Sequence, residues 1–284
     1  MTCDKGEAPR LVEHRPLRDI FKFKTHPYVM LGSACSGKTN LCCEILKEFG
    51  PECNDNNIHY LTGYMDDHPP YLNPVPKKYR VKGTLENLIN IWTNIRNSRD
   101  EFDNYDNKSL LIIDELNCIY NDSERSKRKI AYNGELCYSN NVFKRTMNDI
   151  LIAGRHFNVL ICIAAYDISL VNDKLIIGDL IFMSNNVVTK YVMSRRNPDD
   201  LRHELEGIAE HVFKNEPRHT FIGLDTINNK FYTGRCELKG NDPVNKFKEL
   251  VSRLKSENGI LRSENSVLKR KIQDIEALIS EAMI

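Results

Sequence analysis

The sequence predicts an α/β fold, a mostly parallel sheet flanked by helices, with a C-terminal coiled-coil helix appended to it. Three observations predict this. Between residues 27 and 235, short apolar runs alternate with stretches of helical periodicity, the order that builds parallel strands joined by crossover helices. The run "SLLIIDEL" at 109–116 is continuously apolar until it ends in two carboxylates, as a strand buried on both faces requires. The segment 243–282 places residues at alternating spacings of three and four over five heptads, apolar at all of these positions but two, a coiled-coil repeat.

The 284 residues suffice for one large domain with an appendage. A formal net charge of +1, with 28% charged residues, excludes nucleic-acid affinity by bulk charge, so any such contact must come from local patches. No apolar run approaches the roughly 18 residues of a membrane span, and the N-terminus lacks the apolar core of a signal peptide. The nine cysteines are scattered with no C-x-x-C pair, so they read as reduced thiols, with Cys42 and Cys43 packing inside a helix.

The elements follow in order. Residues 1–26 carry charges, Pro9 and Pro16 without a period and read as an N-terminal arm. "PYVML" at 27–31 reads as a buried strand, and "KTNLCCEILKEFG" at 38–50 as a helix with Gly50 past its end. "IHYLTG" at 58–63 is a second strand, and the four prolines of 64–80 make a loop. In 84–97, Leu85, Leu88, Ile91, Trp92 and Ile95 recur at helical spacing behind Thr84, a suitable N-cap. After the strand at 109–116, residues 117–140 are polar and basic, 141–157 are helical, and "VLICIAAY" at 159–166 is a strand. "LIFMS" at 180–184 and "VVTKYVMS" at 187–194 read as further strands, and 198–215 as a helix with Pro198 in its first turn. Residues 219–235 read as a hairpin turning at Asn228-Asn229. The domain is therefore expected over 27–238.

Between the first strand and the first helix of that domain lies "GSACSGKT", residues 32–39, which fits G-x-x-x-x-G-K-[ST]. In such a phosphate-binding loop, or P-loop, backbone N–H groups wrap the β- and γ-phosphates and the helix N-terminus adds its positive end. This makes the fold a P-loop NTPase and gives Gly32, Ser33, Ala34, Cys35, Ser36, Gly37, Lys38 and Thr39 to the nucleotide. Lys38 reaches the terminal phosphates and the Thr39 hydroxyl binds Mg²⁺. Asp114 ends the apolar part of the 109–116 run, where a metal-binding carboxylate belongs. Glu115 beside it can take a proton from an attacking water. The expected cofactors are ATP and Mg²⁺, with Lys38 and Glu115 as catalytic residues.

A third motif, "LIAGRHFNVLICIAAY" at 151–166, sets Gly-Arg-His between a helix and an apolar strand. Together with "PYVMLGSACSGKT" and "LLIIDEL", and with similar spacing between the three, it resembles the FtsK–HerA superfamily of DNA-pumping ATPases, and most closely the poxvirus-type genome-packaging branch of large DNA viruses. The resemblance spans about residues 27–235. It implies that Lys38 and Thr39 bind phosphate and Mg²⁺, Asp114 completes the metal site, Glu115 activates water and Arg155 acts at a site, in its own subunit or a neighbour's. Arg195 and Arg196 are alternatives for an arginine donated to a neighbour. One departure stands out. Members usually carry a polar sensor, often Gln, near the end of the strand after Gly-Arg-His, where this chain has Ala164-Ala165-Tyr166-Asp167.

Two further features concern partners. "ERSKRK" at 124–129 sets Arg125, Lys127, Arg128 and Lys129 after the Glu115 strand, either as a solvated loop or as a grip on the phosphates of double-stranded DNA in the pore of a ring. In the heptads, Val244, Val251, Asn258, Asn265, Ile272 and Ile279 take position a, and Phe247, Leu254, Leu261, Leu268 and Ile275 take position d. Glu257, Glu264 and Lys271 at g face Arg262, Lys269 and Glu276 at the following e positions with opposite sign. Buried Asn at a and matched flanks favour a parallel dimer. Zipped dimers within a homo-oligomeric ring, or a helix pairing with a capsid or other virion protein, both fit. The expectation is an ATP-hydrolysing motor that translocates viral DNA into the virion, acting in the host cytoplasm or the virion. A P-loop kinase of small substrates, or an assembly protein that ATP only switches, are the alternatives.

Overall fold

The structure, a computed structural model, describes residues 12–63, 65, 74–100, 107–126, 129–132, 134–166, 168–171, 178–194 and 199–236. The chain divides into two units after Glu237. The second, with all the heptads, lies outside the described residues, as do Lys127, Arg128, Arg195, Arg196 and Pro198.

The first unit is built on an eight-stranded sheet in the order β10-β9-β8-β1-β7-β4-β2-β3. Its strands are β1 (Tyr28–Leu31), β2 (Ile58–Thr62), β3 (Arg80–Lys82), β4 (Ser109–Ile113), β7 (Val159–Ala165), β8 (Asp179–Phe182), β9 (Thr220–Asp225) and β10 (Lys230–Arg235). The strands from β3 to β8 pair in parallel, while β9 and β10 run antiparallel at one side. Central strands β1 and β7 are buried at every residue, which is why they read as unbroken apolar runs rather than alternating ones. Each large apolar side chain so buried contributes about 1.5–3 kcal/mol.

Helices cover the sheet: α2 (Lys38–Phe49), α3 (Leu85–Asp100), α4 (Leu116–Ser126), α5 (Ser139–Ala153), α6 (Asn185–Ser194) and α7 (Asp199–Asn215), after a single turn α1 (Leu17–Ile20). The Thr84 hydroxyl accepts the Asn87 N–H at 3.3 Å, so it caps α3 as expected. The Trp92 indole N–H and Arg96 both donate to Asp149, at 2.7 and 2.9 Å, and tie α3 to α5. The β9–β10 turn is held by Asp225, whose carboxylate accepts the N–H groups of Ile227 and Asn228, and Asn229 takes the left-handed conformation there. No described helix is long and apolar enough to cross a membrane.

Three expectations are corrected, and one stretch left unassigned by its sequence is found to be structured. Residues 187–194 form helix α6, not a strand: Val187, Val188, Tyr191 and Val192 are buried while Thr189, Lys190 and Met193 face out, a helical stripe that outweighs β-branched propensity. The polar stretch 117–140 is helix α4 and a separate hairpin, β5 (Lys129–Tyr132) with β6 (Glu135–Tyr138). Residues 74–80 are not all loop, because a 3-10 turn (Lys77–Tyr79) leads Arg80 into β3, an edge strand on β2. The described part of the N-terminal arm is packed. Thr233 exchanges backbone hydrogen bonds with Glu13 and Arg15 at the outer side of β10, and Ile20 and Phe21 are buried, which blunts an exposed sheet edge.

Candidate nucleotide site

Strand β1 enters the sheet between β7 and β8, and the chain leaves its C-terminal end through residues 32–37 into α2. Gly37 has φ +98°, and a Cβ there would lie 2.7 Å from His219 Nδ1. Only glycine fits that backbone without strain. A Cβ on Gly32 would come within 2.9 Å of the Met183 Cβ, so the loop backbone is cradled without side-chain room. No side chain caps the first turn of α2, which leaves its N–H groups facing the loop.

Lys38 is 5% exposed, and its ammonium donates to the carbonyls of Gly32 and Ser33 at 2.6 and 2.8 Å. Burial pulls its pKa down to about 8 against the attraction of Asp114. The Thr39 hydroxyl donates to Asp114, 3.2 and 3.1 Å from its two oxygens. The Tyr60 hydroxyl donates to the same carboxylate at 2.9 Å. Asp114 is buried, which pushes its pKa up to about 6, with the Tyr60 hydrogen bond opposing.

These residues fit a nucleotide and a magnesium ion. The Ser36 hydroxyl is buried in the loop with no hydrogen-bond partner among the described residues. Thr39 and Asp114 bring a hydroxyl and a carboxylate together, the hard oxygen donors that Mg²⁺ takes.

Glu115 follows Asp114 with φ +65°, a left-handed kink between β4 and α4 that costs a non-glycine residue and is characteristic of functional turns. Its carboxylate accepts the Cys118 thiol at 3.4 Å. Gly63, at the end of the neighbouring β2, leaves the room for it: a Cβ there would lie 3.2 Å from Glu115 Oε2 and 2.6 Å from Cys118 Sγ. Gly63→Ala is expected to displace Glu115 and lower ATP turnover about tenfold or more, since sub-ångström misplacement of a reacting group is costly. Nucleotide binding should persist, because the atoms that an added Cβ would meet first belong to Glu115 and Cys118 rather than to the phosphate loop. Paired turnover and equilibrium-binding measurements check this; unchanged turnover would contradict the assigned position of Glu115.

The loop residues, Asp114 and Glu115 thus come together at the C-terminal ends of β1 and β4. Arg155 does not join them. It lies in the 3-10 turn Gly154–His156 ahead of β7, exposed beside His156. A strand of seven residues rising about 3.3 Å each separates that end of β7 from the loop. Arg155 therefore stands away from the nucleotide loop of its own chain. Three contributors carry no motif: Tyr60 on Asp114, His219 on Gly37, and Ser184, whose hydroxyl accepts the Ser33 N–H at 3.4 Å. Tyr166, which follows β7, sets its ring over the Lys38 ammonium, 4.1 Å from centroid to Nζ.

No family model matches this sequence, and no curated protein matches it. Among solved structures the chain is similar to the genome packaging NTPase B204 from Sulfolobus turreted icosahedral virus 2 in complex with AMPPCP, with 14% identity and a TM-score of 0.40 over 76% of this chain and 100% of that one. It is similar in the same way to B204, the DNA-packaging ATPase from Sulfolobus turreted icosahedral virus, with 15% identity and a TM-score of 0.39 over 73% of this chain and 96% of that one. It is also similar to the cytoplasmic domain of EssC, with 12% identity and a TM-score of 0.43 over 74% of this chain and 37% of that one.

Proposed function

We propose that this chain is an ATP-hydrolysing motor that moves double-stranded DNA, and that it packages a viral genome. The observation that carries the hydrolytic part is the contact of Thr39 with Asp114 at 3.1 Å, with Glu115 next in sequence. Lys38 and the loop N–H groups bind the terminal phosphates. Thr39 and Asp114 would hold Mg²⁺, which would supply neutralisation of the phosphate charge. Glu115 accepts the proton of the attacking water. A carboxylate beside the metal ligand suits transfer to water, so no separate phosphate acceptor is needed.

Movement has a mechanical route. Helix α4 starts at Leu116, directly after Glu115, and ends beside the β5–β6 hairpin. Lys129 opens that hairpin, exposed, with its ammonium 5.4 Å from the ring centre of Tyr138. Lys144 and Arg145 of α5 are exposed as well. A shift at Glu115 is passed along α4 to the basic run Arg125, Lys127, Arg128 and Lys129 that follows it in sequence, which grips DNA phosphates. The reading includes a homo-oligomeric ring, with the heptads of 243–282 joining subunits or a virion protein, and activity in the host cytoplasm or the virion.

The test is the Mg-ATPase rate of the full chain, with no phosphate acceptor, with and without double-stranded DNA. Hydrolysis that DNA accelerates is expected; absence of hydrolysis overturns the reading, and hydrolysis indifferent to DNA removes its DNA half. Replacing Arg125, Lys127, Arg128 and Lys129 together with Ala should weaken DNA binding alike for all sequences. The slope of log affinity against log salt should fall by roughly 0.9 for each phosphate no longer neutralised. Nucleotide binding should be unchanged, and an unaltered salt slope would make the segment a solvated surface.

A further inference from the structure

Strand β7 lies between β1 and β4 in the sheet. Its end therefore stands between the two halves of the nucleotide site, the loop after β1 and the carboxylates after β4. The Gly32 N–H donates to the Ala165 carbonyl at 3.2 Å, which pins that end to the loop. Tyr166 comes next, and its N–H donates to the Asn117 side-chain oxygen at 3.3 Å, in the first turn of α4. Its ring covers the Lys38 ammonium at 4.1 Å.

An ammonium has three donors on a flexible stem and no geometric preference of its own. Two donors of Lys38 go to Gly32 and Ser33, at 2.6 and 2.8 Å. The remaining side meets the ring face, whose quadrupole attracts a cation, and more strongly where water is excluded. Lys38 is 5% exposed, so the contact lies in such a place.

We propose that Tyr166 is a positioning residue for Lys38: the face of its ring, not its hydroxyl, holds the ammonium over the phosphate loop, and Asn117, by accepting the Tyr166 backbone N–H, ties the residue that carries the ring to the helix that begins beside Glu115. The proposal rests on the nucleotide reading above and goes beyond it, because no motif assigns an aromatic face to this position. The face presented to Lys38 is common to Tyr and Phe, so the hydroxyl is dispensable, whereas an aliphatic side chain of similar bulk offers no quadrupole.

The experiment measures Mg-ATPγS affinity and ATP turnover of the full chain carrying Tyr166→Phe, Tyr166→Leu, or phenylalanine analogues of increasing ring fluorination at 166. Fluorination keeps the shape of the ring and drains negative charge from its face. Tyr166→Phe is expected to stay within about twofold of the parent, and Tyr166→Leu to bind about tenfold more weakly. Affinity should fall stepwise along the fluorinated series, which a merely space-filling ring would not show, and which answers the question even if the Leu variant fails to fold. A flat series, or a Phe variant as weak as Leu, overturns the proposal. Failure of the parent itself to bind the nucleotide overturns the nucleotide reading instead, and this inference with it.

Discussion

Glu115→Gln is expected to bind ATP as tightly as the parent and to lose turnover by roughly a hundredfold or more, the contribution of a positioned general base. The substitution is close to isosteric. The carboxamide oxygen can still accept the Cys118 thiol, now 3.4 Å from Glu115 Oε2, and nothing new is placed against Gly63. The metal ligands are not weakened, because the Glu115 charge is one of the causes that raise the Asp114 pKa, and its removal makes Asp114 easier to ionise. What is lost is the ability to take a proton from water. Equilibrium binding of Mg-ATPγS and single-turnover phosphate release separate the two effects. A variant that hydrolyses ATP near the parent rate would remove Glu115 from the chemistry and leave a nucleotide-binding switch.

The parts of this molecule that were legible from its sequence are those in which local pattern and burial agree. The runs at 28–31, 110–113 and 159–165 are apolar throughout because their strands are covered on both faces. The phosphate loop was legible because Gly37 and Lys38 meet backbone demands that few other residues meet. Helix α6 was not, because Val187, Val188 and Val192 favour strands locally while their burial pattern is helical. The hairpin after α4 was not, because a two-stranded ribbon lying outside the main sheet, with Leu136 and Tyr138 exposed, has no alternating buried face to reveal it. The contacts of Tyr60 and His219 depend on strand order. Tyr60 reaches Asp114 because β2 lies beside β4, and His219 reaches Gly37 because β9 runs back beside β8. Arg155 shows the converse: its motif is conspicuous in sequence, yet a whole strand length separates it from the site that the other motifs build.

Lys38→Ala is expected to abolish measurable ATP binding while leaving the fold intact. Two effects compete at this residue. The ammonium is 5% exposed and burial pulls its pKa down to about 8, so holding the cation costs the folded chain free energy that its bonds to the Gly32 and Ser33 carbonyls offset. Removing it loses those bonds and the desolvation penalty together, and stability should change little, with the melting temperature within a few degrees of the parent. Nucleotide binding has no such offset. The phosphates lose the cation at the centre of the loop, and charge-assisted hydrogen bonds to a phosphate contribute about 1.5–3 kcal/mol each. Affinity should therefore fall about a hundredfold or more. Lys38→Arg should not restore it, because a planar guanidinium cannot enter the space of an ammonium held between two carbonyls and the Tyr166 ring. Calorimetric titration with Mg-ATP, alongside thermal melting, checks both halves. Binding near the parent affinity in a folded Lys38→Ala chain would mean that residues 32–39 do not hold the triphosphate.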